Sequence, residues 1–174
     1  MVLQVKVDYI NRLIDESLLE GDDTIEFKGK FIGDEGVEAL VQSQKLGEIE
    51  DLDLSRNSIT WRGAVQLFKC DKFKNLKRLY LKDNNIGDKG AKALPEAPFL
   101  DALSVLDICF NNIDVTGGLA IANCQRFSQL QVLNLQENQV GDETLITLAK
   151  NPKFGNLRKL NFYRTGITFK GIKV

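Results

Sequence analysis

The segments LKRLYLKDNNIGDKGAKAL (76–94) and LQVLNLQENQVGDETLITL (130–148) place apolar and polar residues in the same order without a gap. IEDLDLSRNSITWRGAVQL (49–67) and LSVLDICFNNIDVTGGLAI (103–121) repeat that order. A weaker copy, LRKLNFYRTGITFKGIKV, occupies 157–174, and a degenerate one, DDTIEFKGKFIGDEGVEAL, begins at Asp22. The period is 27 throughout, so the ninth position reads Lys30, Asn57, Asn84, Asn111, Asn138 and Thr165. Tandem units of this size cannot bury their apolar faces alone and stack into a solenoid.

Each unit has its own internal logic. Positions four and six are apolar between polar neighbours (Leu79 and Leu81, Leu133 and Leu135), the signature of a short strand buried on one face. The Asn at position nine ends the strand, and its amide can satisfy backbone groups of the turn and of the adjacent copy, so the four asparagines are expected to form a ladder. After an apolar residue at position eleven, Asp34, Asp88 and Asp142 stand where a residue capping its own helix would stand. Position fifteen is Gly36, Gly63, Gly90, Gly117 and Gly171, interrupted by Thr144, which predicts a close approach of the first helical turn to its neighbour. Position nineteen (Leu40, Leu67, Leu94, Ile121, Leu148) turns the helix inward, and position twenty-five (Leu46, Phe73, Leu100, Phe127, Phe154) closes the unit.

The pattern LxxLxLxxNxIGxxGAxxL resembles the leucine-rich repeat, specifically its strand–helix, ribonuclease-inhibitor-like class. The resemblance extends over residues 22–174. It implies an α/β solenoid, a horseshoe of six 27-residue repeats with parallel strands on the concave face and helices on the convex face. The repeats divide as 22–48, 49–75, 76–102, 103–129, 130–156 and a truncated 157–174. The resemblance also implies protein–protein recognition; members of the class serve as receptor, effector and GTPase-activator modules, and nothing in these residues separates a resident cytosolic protein from an injected bacterial effector.

Residues 1–21 precede the repeats. Val7, Ile10, Leu13, Ile14 and Leu18 share one helical face, which predicts a capping helix over the first repeat, with a membrane-surface or partner-binding helix as the alternative. The sixth repeat stops after 18 positions, leaving Ile167, Phe169, Ile172 and Val174 on an open edge. Two readings follow from that edge: a fragment or degenerate cap of a longer array, or a surface for self-association.

Composition narrows the chemistry. The 23 basic and 24 acidic residues nearly cancel, which speaks against nucleic acid. No run of about 18 apolar residues could span a membrane, and no secretory signal is evident. Three cysteines suit a reducing, cytosolic compartment. The absence of His removes the commonest general base and metal ligand. The glycines follow the repeat instead of a phosphate-binding loop. No enzyme activity, cofactor or metal is therefore expected. Cys70 and Cys124 share position twenty-two and read as small buried fillers.

Function is sought on the concave face, at positions three, five, seven and eight, where acids and bases occur in equal number. The candidate partner-binding residues are Asp53, Arg56, Arg78, Tyr80, Lys82, Asp107, Cys109, Phe110, Asn134 and Tyr163. Cys109 is expected to point into that face beside Phe110. Asp53 and Asp107 flank Tyr80, an arrangement suited to a partner's Arg or Lys. Position thirteen alternates: Asp34, Trp61, Asp88, Val115, Asp142, Phe169. The apolar members follow Thr60, Asp114 and Thr168, each placed to cap one residue earlier, so the true unit is a pair of repeats. Trp61, Val115 and Phe169 then form a periodic row, for packing between neighbouring turns or for a rim contact surface. Strong burial of Trp61 would favour packing.

Overall fold

A computed structural model describes residues 2–18 and 23–172; the side chains of Phe169 and Ile172, and residue Val174, lie outside the described residues. Helix α1 runs over Val2–Ser17. Six three-residue strands follow: β1 (Thr24–Glu26), β2 (Asp51–Asp53), β3 (Arg78–Tyr80), β4 (Val105–Asp107), β5 (Val132–Asn134) and β6 (Lys159–Asn161). They alternate with α2 (Gly33–Gln42), α3 (Trp61–Lys69), α4 (Gly87–Ala93), α5 (Val115–Ala122), α6 (Gly141–Lys150) and α7 (Phe169–Ile172).

The strands form one parallel sheet in chain order, each residue paired with its counterpart 27 positions on, as in Asp53↔Tyr80 and Tyr80↔Asp107. The central residue of each strand points inward; Ile25, Leu52, Leu79, Leu106 and Leu133 are wholly buried. Positions eleven, nineteen and twenty-five join them, so strand, helix and closing loop of the first five units share one core. A fully buried Leu or Phe in it is worth roughly 1.5–3 kcal/mol over exposure. At one end α1 packs on α2 and β1 and buries Ile10, Leu13 and Ile14. At the other, Leu160 in the middle of β6 is 37% exposed. Strands stack about 4.8 Å apart and helices about 8–10 Å, which puts the strands on the inside of the curve.

Two versions of the repeat alternate, and the difference begins in the backbone. In the first, third and fifth copies a glycine at position twelve is left-handed: Gly33, Gly87 and Gly141, with φ of 61°, 58° and 69°. Each donates its N–H to the carbonyl of the next copy's position nine, Asn57, Asn111 or Thr165, at 2.9–3.0 Å. In the second, fourth and sixth copies the left-handed residue is at position ten, Ser58, Asn112 and Gly166, and the first copy adds a left-handed Phe31 there to its Gly33. The chain thus reaches the helix by two routes.

That difference corrects the expected capping. Asp34, Asp88 and Asp142 do not cap their own helices; α2, α4 and α6 have no side-chain cap. Instead each carboxylate reaches the start of the following helix. Asp34 Oδ1 accepts from the N–H groups of Thr60 (2.7 Å) and Gly63 (3.1 Å), and Asp88 Oδ1 from Asp114 (2.8 Å) and Gly117 (3.2 Å). Asp142 Oδ1 accepts from the N–H of Thr168 at 2.6 Å. The receiving helices are also capped locally, by Thr60, Asp114 and Thr168 accepting from the N–H two residues on. The close approach expected at position fifteen is largely this carboxylate: a Cβ on Gly63, Gly117 or Gly171 would lie 2.6 Å from the Asp Oδ1. Thr144, the exception, donates its hydroxyl to the Val140 carbonyl at 2.7 Å and takes up the space beside Gly118.

The convex side alternates as well. In the second and fourth copies a cation at position twenty-four closes the end of the preceding copy. Lys72 donates to the carbonyls of Val41, Gln42 and Ser43 at 2.9–3.1 Å. Arg126 donates to those of Ala97 (2.9 Å) and Pro98 (3.1 Å) and to Asp101. In the fifth copy Asn151 plays this part, donating to Ala122 and Cys124.

Candidate functional site

The asparagine ladder holds the concave surface in place. Asn84 donates to the carbonyls of Leu54 (3.0 Å) and Leu81 (2.9 Å) and accepts from the N–H groups of Asn57 and Ile59. Asn57, Asn111 and Asn138 repeat the arrangement one unit along. Buried amides satisfied on both sides fix where every strand ends and turns. Just before the asparagine, position eight is left-handed in all copies, carrying Arg56, Asp83, Phe110, Glu137 and Arg164 outward.

Along the central row the structure brings together Asp53, Tyr80, Asp107, Asn134 and Asn161 in register. Their acids and amides are busier than the sequence suggested. Asp53, Asp107, Asn134 and Asn161 each accept, through Oδ1, the N–H two residues ahead at 2.8–3.1 Å. Asp107 Oδ2 also accepts from Asn134 Nδ2 at 3.1 Å, so both its oxygens are engaged within the chain. Tyr80 interrupts this run of turn-stabilising side chains between Asp53 and Asp107. Burial raises its hydroxyl pKa, with Asp51 adding to the shift. A hollow of about 320 Å³ opens beside it, lined by Tyr80, Val105, Asp107, Val132, Asn134 and Lys159.

The other candidates surround this row. Arg78 forms an ion pair with Asp51, Arg56 pairs with Asp83 at 3.5 Å, and Arg164 pairs with Glu137 at 3.1 Å. Lys82 lies 5.7 Å from the centre of the exposed Phe110 ring, and Arg164 5.1 Å from that of Tyr163. Surface pairs of this kind contribute little to stability, so they leave these side chains available to a partner.

Cys109 does not belong to the exposed set. It is only 1% exposed, and burial, with Asp107 beside it, pushes its thiol up to about 12. The reason is side-chain length: position seven alternates Ser55, Lys82, Cys109, Gln136, and the two short residues, both buried, lie between longer ones. Cys70 and Cys124 are buried free thiols, as expected of fillers.

Trp61 departs from the packing expectation in the other direction. It is 39% exposed, Val115 is similarly exposed, and the indole carries Lys89 at 4.9 Å and Arg62 at 5.4 Å from its ring. With the caps supplied by Asp34 and Thr60, position thirteen has no structural duty that would draw an indole inward. Sequence reasoning missed Phe31, which is 80% exposed with a φ of 53°. The signal was present in the position-ten column, where Phe31 stands against Ser58, Asn85, Asn112, Gln139 and Gly166.

Among the described residues no group of three His, Cys, Asp or Glu side chains is placed to hold a metal ion, and no helix is long and apolar enough to cross a membrane. Single parallel strands at a fixed period, a buried asparagine column and strand–helix alternation give the chain a leucine-rich-repeat-like solenoid fold. Residues 74–94 and 129–149 match the family model described as Leucine Rich repeat. A solved tropomodulin C-terminal domain from Caenorhabditis elegans is similar over 99% of this chain and 87% of that one, at 10% identity and a TM-score of 0.49. No curated protein matches the sequence.

Proposed function

We propose that this chain is a non-enzymatic protein-binding module that receives its partner on the concave face. The observation that carries this reading is the hollow beside Tyr80, the aromatic set among the turn-stabilising Asp53, Asp107, Asn134 and Asn161. A partner's Arg or Lys laid over the Tyr80 ring would have Asp53 and Asp107 on either side and the apolar floor of Val105 and Val132 for its stem. Arg56, Lys82, Phe110, Asn134 and Tyr163 form the surrounding contact surface, rich in the residue types that dominate protein interfaces.

The test is affinity capture from a native lysate with the parent chain and with a Tyr80→Ala, Asp107→Asn double variant. Asn at 107 keeps the acceptor for the Cys109 N–H while removing the charge. Loss of the captured partner supports the concave site; unchanged capture removes it.

A second reading, self-association at the β6 edge, is favoured by the exposure of Leu160 and by a hollow of about 380 Å³ beside it, lined in part by Leu148, Phe154 and Leu157. Sedimentation that varies with concentration, and ceases to in Leu160→Lys, supports it. A single species at all concentrations rules it out.

A further inference from the structure

We propose that the rim formed by α1 and the strand-to-helix turns of the first three repeats docks an acidic peptide segment bearing a bulky apolar side chain. Phe31 is the starting point. A left-handed backbone costs a non-glycine residue about 1–2 kcal/mol, and an aromatic ring exposed as Phe31 is recovers none of it by burial. The left-handed equivalents in later copies, Ser58, Asn112 and Gly166, are small or polar. Neither folding nor local conformation accounts for a phenylalanine here, and strained residues of this kind concentrate at binding sites.

The surroundings give Phe31 a setting. It is the shared wall of two hollows. One, of about 350 Å³, is completed by Val5, Lys6 and Tyr9. The other, of about 820 Å³, extends past Ser58 and Thr60 to Asn85. Thr60 leads directly into Trp61, whose indole lies under Lys89 and Arg62. The surface therefore combines an apolar pocket, a longer groove and an aromatic platform.

Charge selects the partner. Several carboxylates along this rim have partners within the chain: Asp34 and Asp88 at the neighbouring helix starts, Asp83 beside Arg56, and Glu35 beside Lys6 at 3.8 Å. Arg62 and Lys89 have no carboxylate partner among the described residues and lie over the indole. A segment with acidic residues would complete them, and its apolar side chain would enter the pocket at Phe31. Two hollows suit a peptide's side chains, whereas a flat anionic bilayer would leave them unfilled.

The experiment displays a random short-peptide library against the intact chain, then measures the selected peptides by fluorescence anisotropy. Expected are sequences rich in Asp and Glu around a Trp, Phe or Leu. Their affinity should fall at least about tenfold in Phe31→Gly and with rising salt, and hold in the Tyr80→Ala, Asp107→Asn variant. Glycine at a φ of 53° relieves strain, so Phe31→Gly should melt no lower than the parent, separating lost binding from lost folding. Peptides without acidic residues, affinity indifferent to Phe31→Gly, or loss confined to the concave variant would each overturn the proposal. So would an empty selection alongside Phe31-dependent binding to anionic phospholipid vesicles.

Discussion

The hydroxyl of Thr60 donates to Asp34 Oδ2 at 2.5 Å, across 26 residues of sequence, while Asp34 Oδ1 accepts the Thr60 backbone N–H. One carboxylate thus fastens two repeats together at the mouth of a helix. Asp34→Ala should cost about 2 kcal/mol through lost capping, with Asp34→Asn recovering part and exposed Glu35→Ala close to neutral. Urea unfolding checks this, and equal midpoints for Asp34→Ala and Glu35→Ala would show that the contact carries no stability.

Gly63 and Asp34 should be energetically coupled. A methyl at Gly63 would lie 2.6 Å from Asp34 Oδ1, so Gly63→Ala must displace the carboxylate or the helix. The penalty, about 1–3 kcal/mol from overpacking, should shrink when Asp34 is already Ala. A double-mutant cycle with strictly additive terms would refute that coupling.

Asp114 stands where the other even copies have Thr60 and Thr168, and it faces Asp88 where they present a donating hydroxyl. Burial, followed by the approach of Asp114, raises the Asp88 pKa; a side-chain hydrogen bond from Asp88 lowers that of exposed Asp114. The raised group stabilises the fold below its unfolded value and loses that contribution as pH climbs through its folded one. The lowered group does the opposite, with little weight because it is exposed. Above both values two anions oppose each other. Asp114→Thr should therefore raise Tm at neutral pH, with the gain fading as pH falls through the carboxylate range near 4. Thermal melts across that range test it, and a gain independent of pH would contradict the carboxyl pair.

The three cysteines should be chemically silent in the folded chain. Cys109 is held at about 12, and burial raises Cys70 and Cys124 as well, so no thiolate is available at mild pH. Alkylation at pH 8 should label none of them natively and all three in denaturant. Rapid native labelling of Cys109 would return it to the concave surface.

The fold was legible because a period of 27 repeated six times leaves one architecture that buries every apolar column. The asparagine ladder was legible for the same reason. Two things were not. Asp34 lies in the first turn of its own helix, so proximity along the chain favoured a local cap, but the left-handed Gly33 turns it toward the next repeat. The coupling was visible only as a correlation: Asp at position thirteen of one copy with Thr or Asp at position twelve of the next. At the site, register placed Tyr80 between Asp53 and Asp107, but side-chain length determined that Lys82 stands out and Cys109 does not. Trp61 followed the periodic row in sequence and the solvent in space.

The alternating turns also set the grain at which this protein can be lengthened. A carboxylate at the end of one turn expects a hydroxyl or N–H in the next, so copies of one kind placed side by side would present mismatched edges. Splicing in a duplicate of 76–129, an odd copy followed by an even one, keeps every such joint; duplicating 76–102 alone sets two odd copies together. The chain is modular, but its smallest interchangeable part spans 54 residues, twice 27.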